Sequence, residues 1–176
     1  MPNVFWANAI PAADVDVKIT IGDTMVQFSN GVGYHDKNWG DAPFVSAVSS
    51  WYWGHASFDA YSVVWFDAID ASGVEHVSGY VVKDGEVLAS SCGEGAVSVR
   101  PWGENSTYPP VAGGGTPQGL LATFDLGCQG QLLVNMTIGQ SSIANDNYLR
   151  AIATVEGTLN DGPTYKGRSM LEQFSL

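Results

Sequence analysis

From Asp14 to Ile21 apolar and polar residues alternate without exception, with Val15, Val17, Ile19 and Ile21 on one side and Asp16, Lys18 and Thr20 on the other. A period of two is the mark of a half-buried strand. It recurs along the chain, interrupted by Gly, Asp-Gly, Asn and Pro turn signals roughly every 8 to 12 residues. Met25 to Asn30 follows the Gly22-Asp23 turn, and Asp59 to Asp70 is apolar on both faces, as a central strand would be. His76 to Lys83 and Glu86 to Ser91 flank Asp84-Gly85, and Ala96 to Trp102 follows. Gly119 to Leu126 pairs in pattern with Gln131 to Ile138, and Tyr148 to Leu159 with Thr164 to Phe174. Only Ser169 to Phe174 hints at a helical period. About ten short strands in successive hairpins, with no βαβ alternation, predict an all-β fold, an antiparallel barrel or sandwich. A closed barrel of eight to ten strands removes exposed edges and leaves room inside for one apolar ligand.

Two segments lie outside this pattern. Residues 1–14, with Pro2, Pro11 and little periodicity, read as an extended lead-in or interdomain linker before a barrel over 15–176. Gly103 to Pro117, rich in Gly and Pro, is a long loop and a candidate lid.

Charge narrows the function. Eighteen acidic against seven basic residues give a formal charge of −11, which repels nucleic acid and anionic membrane. No apolar run is long enough to span a bilayer, and the first residues lack the basic lead of a signal peptide. Cys92 and Cys128 are consistent with either a disulfide or free thiols, and Asn105-Ser-Thr and Asn135-Met-Thr match the glycosylation pattern. These features leave the secretory pathway open and the compartment unassigned.

Candidate chemistry concentrates between Gly31 and His55, which holds three of the six tryptophans and two of the three histidines. In an extended segment Trp51, Trp53 and His55 point one way and Tyr52 and Gly54 the other. Two indoles and an imidazole would form one wall of a pocket, the competing reading being packed core. Tyr34, Asp36 and Asn38 share a side, where turn chemistry is an equal alternative. His35 and His55 have no metal-ligand spacing, no Gly-x-Ser-x-Gly elbow occurs, and Gly113-Gly114-Gly115 lacks the Lys and helix of a phosphate loop. Metal, cofactor and covalent chemistry are unsupported. The inventory fits holding an apolar molecule and offering it a few hydrogen bonds.

The run Gly31-Val32-Gly33-Tyr34-His35-Asp36-Lys37-Asn38-Trp39-Gly40, followed by Trp51-Tyr52-Trp53-Gly54, resembles the lipocalin-like superfamily that includes carotenoid hydratases and fungal Diels–Alderases. Phe5 to Pro11 and Tyr165 to Glu172 share the likeness. Members usually carry two lipocalin-like domains, so the resemblance implies that this chain is the second, with an N-terminal one as partner. It also implies a cofactor-independent pericyclase performing a [4+2] cycloaddition on an apolar polyketide or terpenoid. Trp39, Trp51, Trp53, Phe58 and Trp65 would then shape the substrate, and Tyr34, Asn38 or His55 would polarise a carbonyl. A hydratase would instead use Asp36 with a histidine as proton donor, and a lipocalin-type carrier would bind without turnover.

Overall fold

The computed structural model describes Met1 and residues 3–176. Eleven strands account for most of them. β1 (Phe5–Ile21) and β2 (Thr24–Trp39) form a long antiparallel hairpin of their own. The other nine are β3 (Val48–Phe58), β4 (Tyr61–Asp70), β5 (Glu75–Lys83), β6 (Glu86–Ser91), β7 (Val97–Trp102), β8 (Gly119–Asp125), β9 (Gln131–Ala144), β10 (Tyr148–Leu159) and β11 (Thr164–Ser175). They make one antiparallel sheet in the order β6-β5-β4-β3-β11-β10-β9-β8-β7. Ser169–Phe174, which hinted at helix, is the end of β11.

The expected antiparallel barrel is present as this sheet curled upon itself, and side chains complete its closure. Gly79 of β5 lets β7 come close, since a Cβ there would lie 3.2 Å from Val97 Cβ. Asp67 of β4 then accepts the Val99 N–H of β7 at 3.1 Å and pairs with Arg100 at 2.9 Å. A carboxylate thus does at the closure what a strand ladder does elsewhere. Burial pushes the Asp67 carboxyl up to about 6 against the pull of these donors.

The concave side is full. Tyr52, Phe58, Tyr61, Trp65 and Phe124 are completely buried there among Val and Leu side chains from every neighbouring strand. These residues occupy the ligand space the sequence placed inside the barrel. Glycines opposite the rings make the packing fit: a Cβ on Gly157 would meet Phe58 at 2.2 Å, and one on Gly54 would meet Trp65 at 2.3 Å.

The boundary expected at residue 14 falls inside β1. The lead-in is extended, as its composition suggested, but from Phe5 onward it is paired with β2. Prolines and alternation breaks hid the strand, because β1 carries register shifts between Asn8 and Val17 that scramble a strict period. Gly31 to Gly33 does not break β2 either; Gly33 yields to Val15, whose Cγ2 would lie 2.2 Å from an added Cβ. The Gly103–Pro117 loop is tied down at several points. Gly113 N–H donates to the Asp146 carbonyl at 2.7 Å, Gln173 Nε2 to the Gly115 carbonyl at 3.1 Å, and Tyr108 lies between the Asp67 and Glu75 carboxylates. Cys92 and Cys128 are exposed free thiols. Among the described residues no helix is long and apolar enough to cross a membrane.

The Gly54–Trp65 contact gives a direct test. Gly54→Ala should destabilise the fold by about 3 kcal/mol, because neither the indole nor the Met170 carbonyl at 2.7 Å can yield freely. Trp65→Phe in that background should recover part of the loss, read from urea midpoints.

Candidate functional site

The outer face of the curled sheet carries a cross-strand row set by register. Arg150 of β10 stands opposite Glu172 of β11, Glu172 opposite Trp53 of β3, and Trp53 opposite Phe66 of β4. Alternation puts all four on the side away from the barrel core. The adjacent row brings Tyr148, Phe174 and Trp51 together in the same way.

Over this surface lies the open end of the β1–β2 hairpin. Trp6 packs on Phe66 at 5.4 Å between ring centroids, and Tyr34 stacks on His55 at 4.8 Å and tilts against Trp53 at 5.3 Å. Sheet and hairpin do not meet everywhere. Between them remains a cavity of about 400 Å³, floored by Trp51, Trp53, Phe66, Tyr148, Arg150 and Glu172 and roofed by Trp6, Asp36, Asn38, Trp39 and the chain around Phe44.

Polar groups in the cavity are held in place. Asp36 Oδ2 accepts the Trp6 Nε1–H at 2.7 Å and faces the Tyr34 hydroxyl at 3.1 Å, leaving Oδ1 without a hydrogen bond among the described residues. The Tyr34 hydroxyl also reaches Asn8 Oδ1 at 2.5 Å. Burial, and then the Asp36 charge, holds the Tyr34 phenol well above its ordinary range, so it stays protonated as a donor. On the floor Glu172, 8% exposed, receives Arg150 Nε at 2.9 Å and Arg150 Nη2 on Oε1, and the Trp51 indole N–H on Oε2 at 3.3 Å. Tyr148 is pushed up to about 12, chiefly by burial and then by Glu172. Trp51 is further braced by Phe174 at 3.9 Å and by the edge of Phe44 at 5.1 Å. Trp53 Nε1 is buried without a hydrogen-bond partner among the described residues.

Of the nine residues singled out in the sequence, Asp36, Asn38, Trp39, Trp51 and Trp53 line the cavity. Tyr34 and His55 stand behind it, supporting Asp36 and Trp53 through hydrogen bond and stacking. Phe58 and Trp65 belong elsewhere. They lie on the concave face, 1% and 0% exposed, with a sheet between them and the cavity. The grouping failed because Phe58 lies an odd number of residues from Trp51 and Trp53, and Trp65 pairs with Gly54 rather than Trp53. His35 is exposed on the other side of β2. Sequence reasoning missed Trp6, Phe44, Phe66, Tyr148, Arg150 and Glu172. Alternation puts Tyr148 and Arg150 on the face opposite Leu149 and Ala151, the one sequence signal they carry, and no periodicity could show that a hairpin would cover them.

Fold and cavity together define an antiparallel, lipocalin-like barrel whose aromatic-walled site lies outside the barrel under a hairpin. Residues 3–97 match the model of the carotenoid hydratase CrtC family, and the chain belongs to that family. The quinolone epoxide rearrangement protein asqO of Emericella nidulans is 41% identical over 176 residues, all of this chain and 48% of that protein. The quinolone epoxide rearrangement protein penF of Penicillium thymicola is 38% identical over the same length, again 48% of its own. The Diels-Alderase ucsH of an Acremonium species is 24% identical over 137 residues, 78% of this chain and 30% of that protein. The chain thus spans at most about half the length of the curated relatives it matches. Among solved structures, CghA with Sch210972 superposes with a TM-score of 0.76 over all of this chain and 55% of CghA, at 15% identity, a likeness of fold.

The state of His55 is set by its surroundings. Burial pushes its imidazole down to about 4, with the Asp36 charge opposing, whereas an unfolded histidine titrates near 6.5. The folded chain therefore binds fewer protons between these values, so the His55 contribution is intact above about pH 6.5 and lost as pH falls toward 4. His55→Phe, which keeps a ring against Tyr34, should shrink the stability lost between pH 7 and 4.5 by about 2 kcal/mol, measured by urea unfolding at both pH values.

Proposed function

We propose that this chain forms the substrate-shaping part of a cofactor-independent enzyme of fungal secondary metabolism that isomerises an apolar, largely planar small molecule. The observation that carries the reading is the lining of one cavity: indoles in floor and roof, and Asp36 held by the Trp6 indole N–H beside the Tyr34 hydroxyl, with Oδ1 unpartnered among the described residues. The flat walls fix a guest's conformation, and holding reacting atoms in a productive arrangement supplies a share of the roughly 7–11 kcal/mol open to such effects.

Among isomerisations, rearrangement of an epoxide agrees best with these groups, and two relatives of about 40% identity carry that reaction in their names. As a ring C–O bond breaks, its electron pair stays on oxygen, which takes a proton, and positive charge develops on carbon. Asp36, entering as the carboxylate, is assigned the proton transfer, taking a proton from the guest and delivering it to that oxygen as the guest collapses to its isomer. Indole faces at Trp51 and Trp53 favour the transient positive charge. No atom is gained or lost, so no cofactor is required.

A [4+2] cycloaddition is the second reading, favoured by the same walls and by the likeness to a Diels-Alderase. It needs no proton. Incubation with a quinolone epoxide, followed by chromatography, separates the possibilities. Acceleration to a product of unchanged mass is expected, with Asp36→Asn about 10²–10⁴-fold slower and Trp53→Leu raising KM. Turnover of a linear diene–dienophile substrate that is indifferent to Asp36→Asn would favour cycloaddition. A gain of one water would mean hydration, and rates equal to buffer would leave a carrier.

The distal hairpin supports a second part of the proposal. Val17 pairs with Phe28, Ile19 with Val26 and Ile21 with Thr24, so one face of the hairpin is a strip of mostly exposed apolar side chains. A two-stranded hairpin is marginal by itself in water. We assign its cover to a lipocalin-like domain preceding this one in the polypeptide, in keeping with relatives twice as long. Amide exchange over residues 17–28 should be fast in this chain and slow in a chain that includes the preceding domain; equal rates would refute the assignment.

A further inference from the structure

We propose that Arg150 recognises an acceptor oxygen on the guest and that Glu172 is the positioning residue that holds it for this purpose. The proposal rests on the cavity reading above but not on any particular reaction.

An ordinary cross-strand Arg–Glu pair uses both carboxylate oxygens in a fork, satisfying two nitrogens side by side. Here the carboxylate is divided. Both contacts from Arg150, through Nε and Nη2, fall on Oε1, while Oε2 accepts the Trp51 indole N–H. One buried carboxylate therefore fixes a guanidinium and an indole, the two kinds of group that a flat, polar-edged guest needs. A guanidinium has five N–H donors and accepts nothing. Nη1 makes no hydrogen bond among the described residues, and the Arg150 side chain is 42% exposed whereas the Glu172 side chain is 11% exposed.

The opposite wall is complementary. Asp36, in the roof, only accepts when ionised, and it lines the cavity from the hairpin side with Oδ1 unpartnered among the described residues. The cavity thus has a donor-only group in the floor and an acceptor-bearing group in the roof, with aromatic surface around both. A neutral guest with a carbonyl or ether oxygen at one edge gains from that polarity, whereas a plain hydrocarbon of the same shape does not. An anionic guest is disfavoured, since Asp36 and Glu172 outnumber Arg150.

The matched probes are 2-acetylnaphthalene and 2-isopropenylnaphthalene, which differ by a carbonyl oxygen in place of a terminal CH₂. Dissociation constants are measured by calorimetry, with circular dichroism to verify folding of each variant. The 176-residue protein should prefer the ketone by about tenfold, the scale of a hydrogen bond to a charged donor. Arg150→Met should abolish the preference, read as the ratio of the two dissociation constants within the same variant. Glu172→Gln should cut the same ratio of dissociation constants severalfold, an effect that loosened packing alone, which weakens both probes alike, would not produce. Arg150→Lys should retain part of the preference. Equal affinities in the wild-type protein, or a preference that survives Arg150→Met, would overturn the assignment and leave the cavity reading standing. Failure of both probes to bind would overturn both. Ketone preference without isomerase turnover would refute the proposed reaction alone.

Discussion

The site depends on one contact: the open end of the β1–β2 hairpin resting on the outer face of the barrel through Trp6 on Phe66 and Tyr34 on Trp53 and His55. Without it the row Arg150–Glu172–Trp53–Phe66 would be a stretch of solvated sheet. With it, large rings hold two layers apart at some points and together at others, and the mismatch leaves a hollow. Aromatic side chains suit this role because each buries a large area while remaining rigid. Asp36 is part of the same contact. Its carboxylate is clamped by Trp6 and Tyr34, the two residues that dock the hairpin, so docking and organising the site are one event.

The barrel beneath is a rigid support rather than a vessel. Its interior is packed with Tyr52, Phe58, Trp65 and Phe124, fitted against glycines, and its closure relies on Asp67 reaching Val99 and Arg100 across strands that share no ladder. A filled interior keeps the outer rows in register, which matters because Arg150, Glu172 and Trp53 come from three strands far apart in sequence. A shift of one residue would turn all three inward. The sheet therefore supplies precision, and the hairpin supplies enclosure.

The proposed cofactor-free chemistry would draw on this lining. Two carboxylates, one guanidinium, the Tyr148 phenol and indole N–H groups offer hydrogen bonds of both senses within one small volume. Conformational restriction comes from the walls, and selective stabilisation of charge from the few polar groups, each restrained by a neighbour. The proposed isomerisation rests on this division.

Much of this was legible in the chain. Alternation and turn residues fixed the all-β class, most strand positions and the faces of β3, because side-chain direction in a strand follows from local stereochemistry. The dense run from Gly31 to His55 located five of the residues that line the cavity, since aromatic and polar side chains are rarely so concentrated without a site. What the chain could not reveal was which face looks inward, and so Phe58 and Trp65 were grouped with a wall they do not touch. Nor could it reveal that β1 continues through Pro11, or that Arg150 and Glu172, more than a hundred residues beyond Asp36, share its cavity. Those facts follow from strand order, from curling of the sheet and from where the hairpin lands. They are decided by burial summed over the whole molecule, which no local window contains.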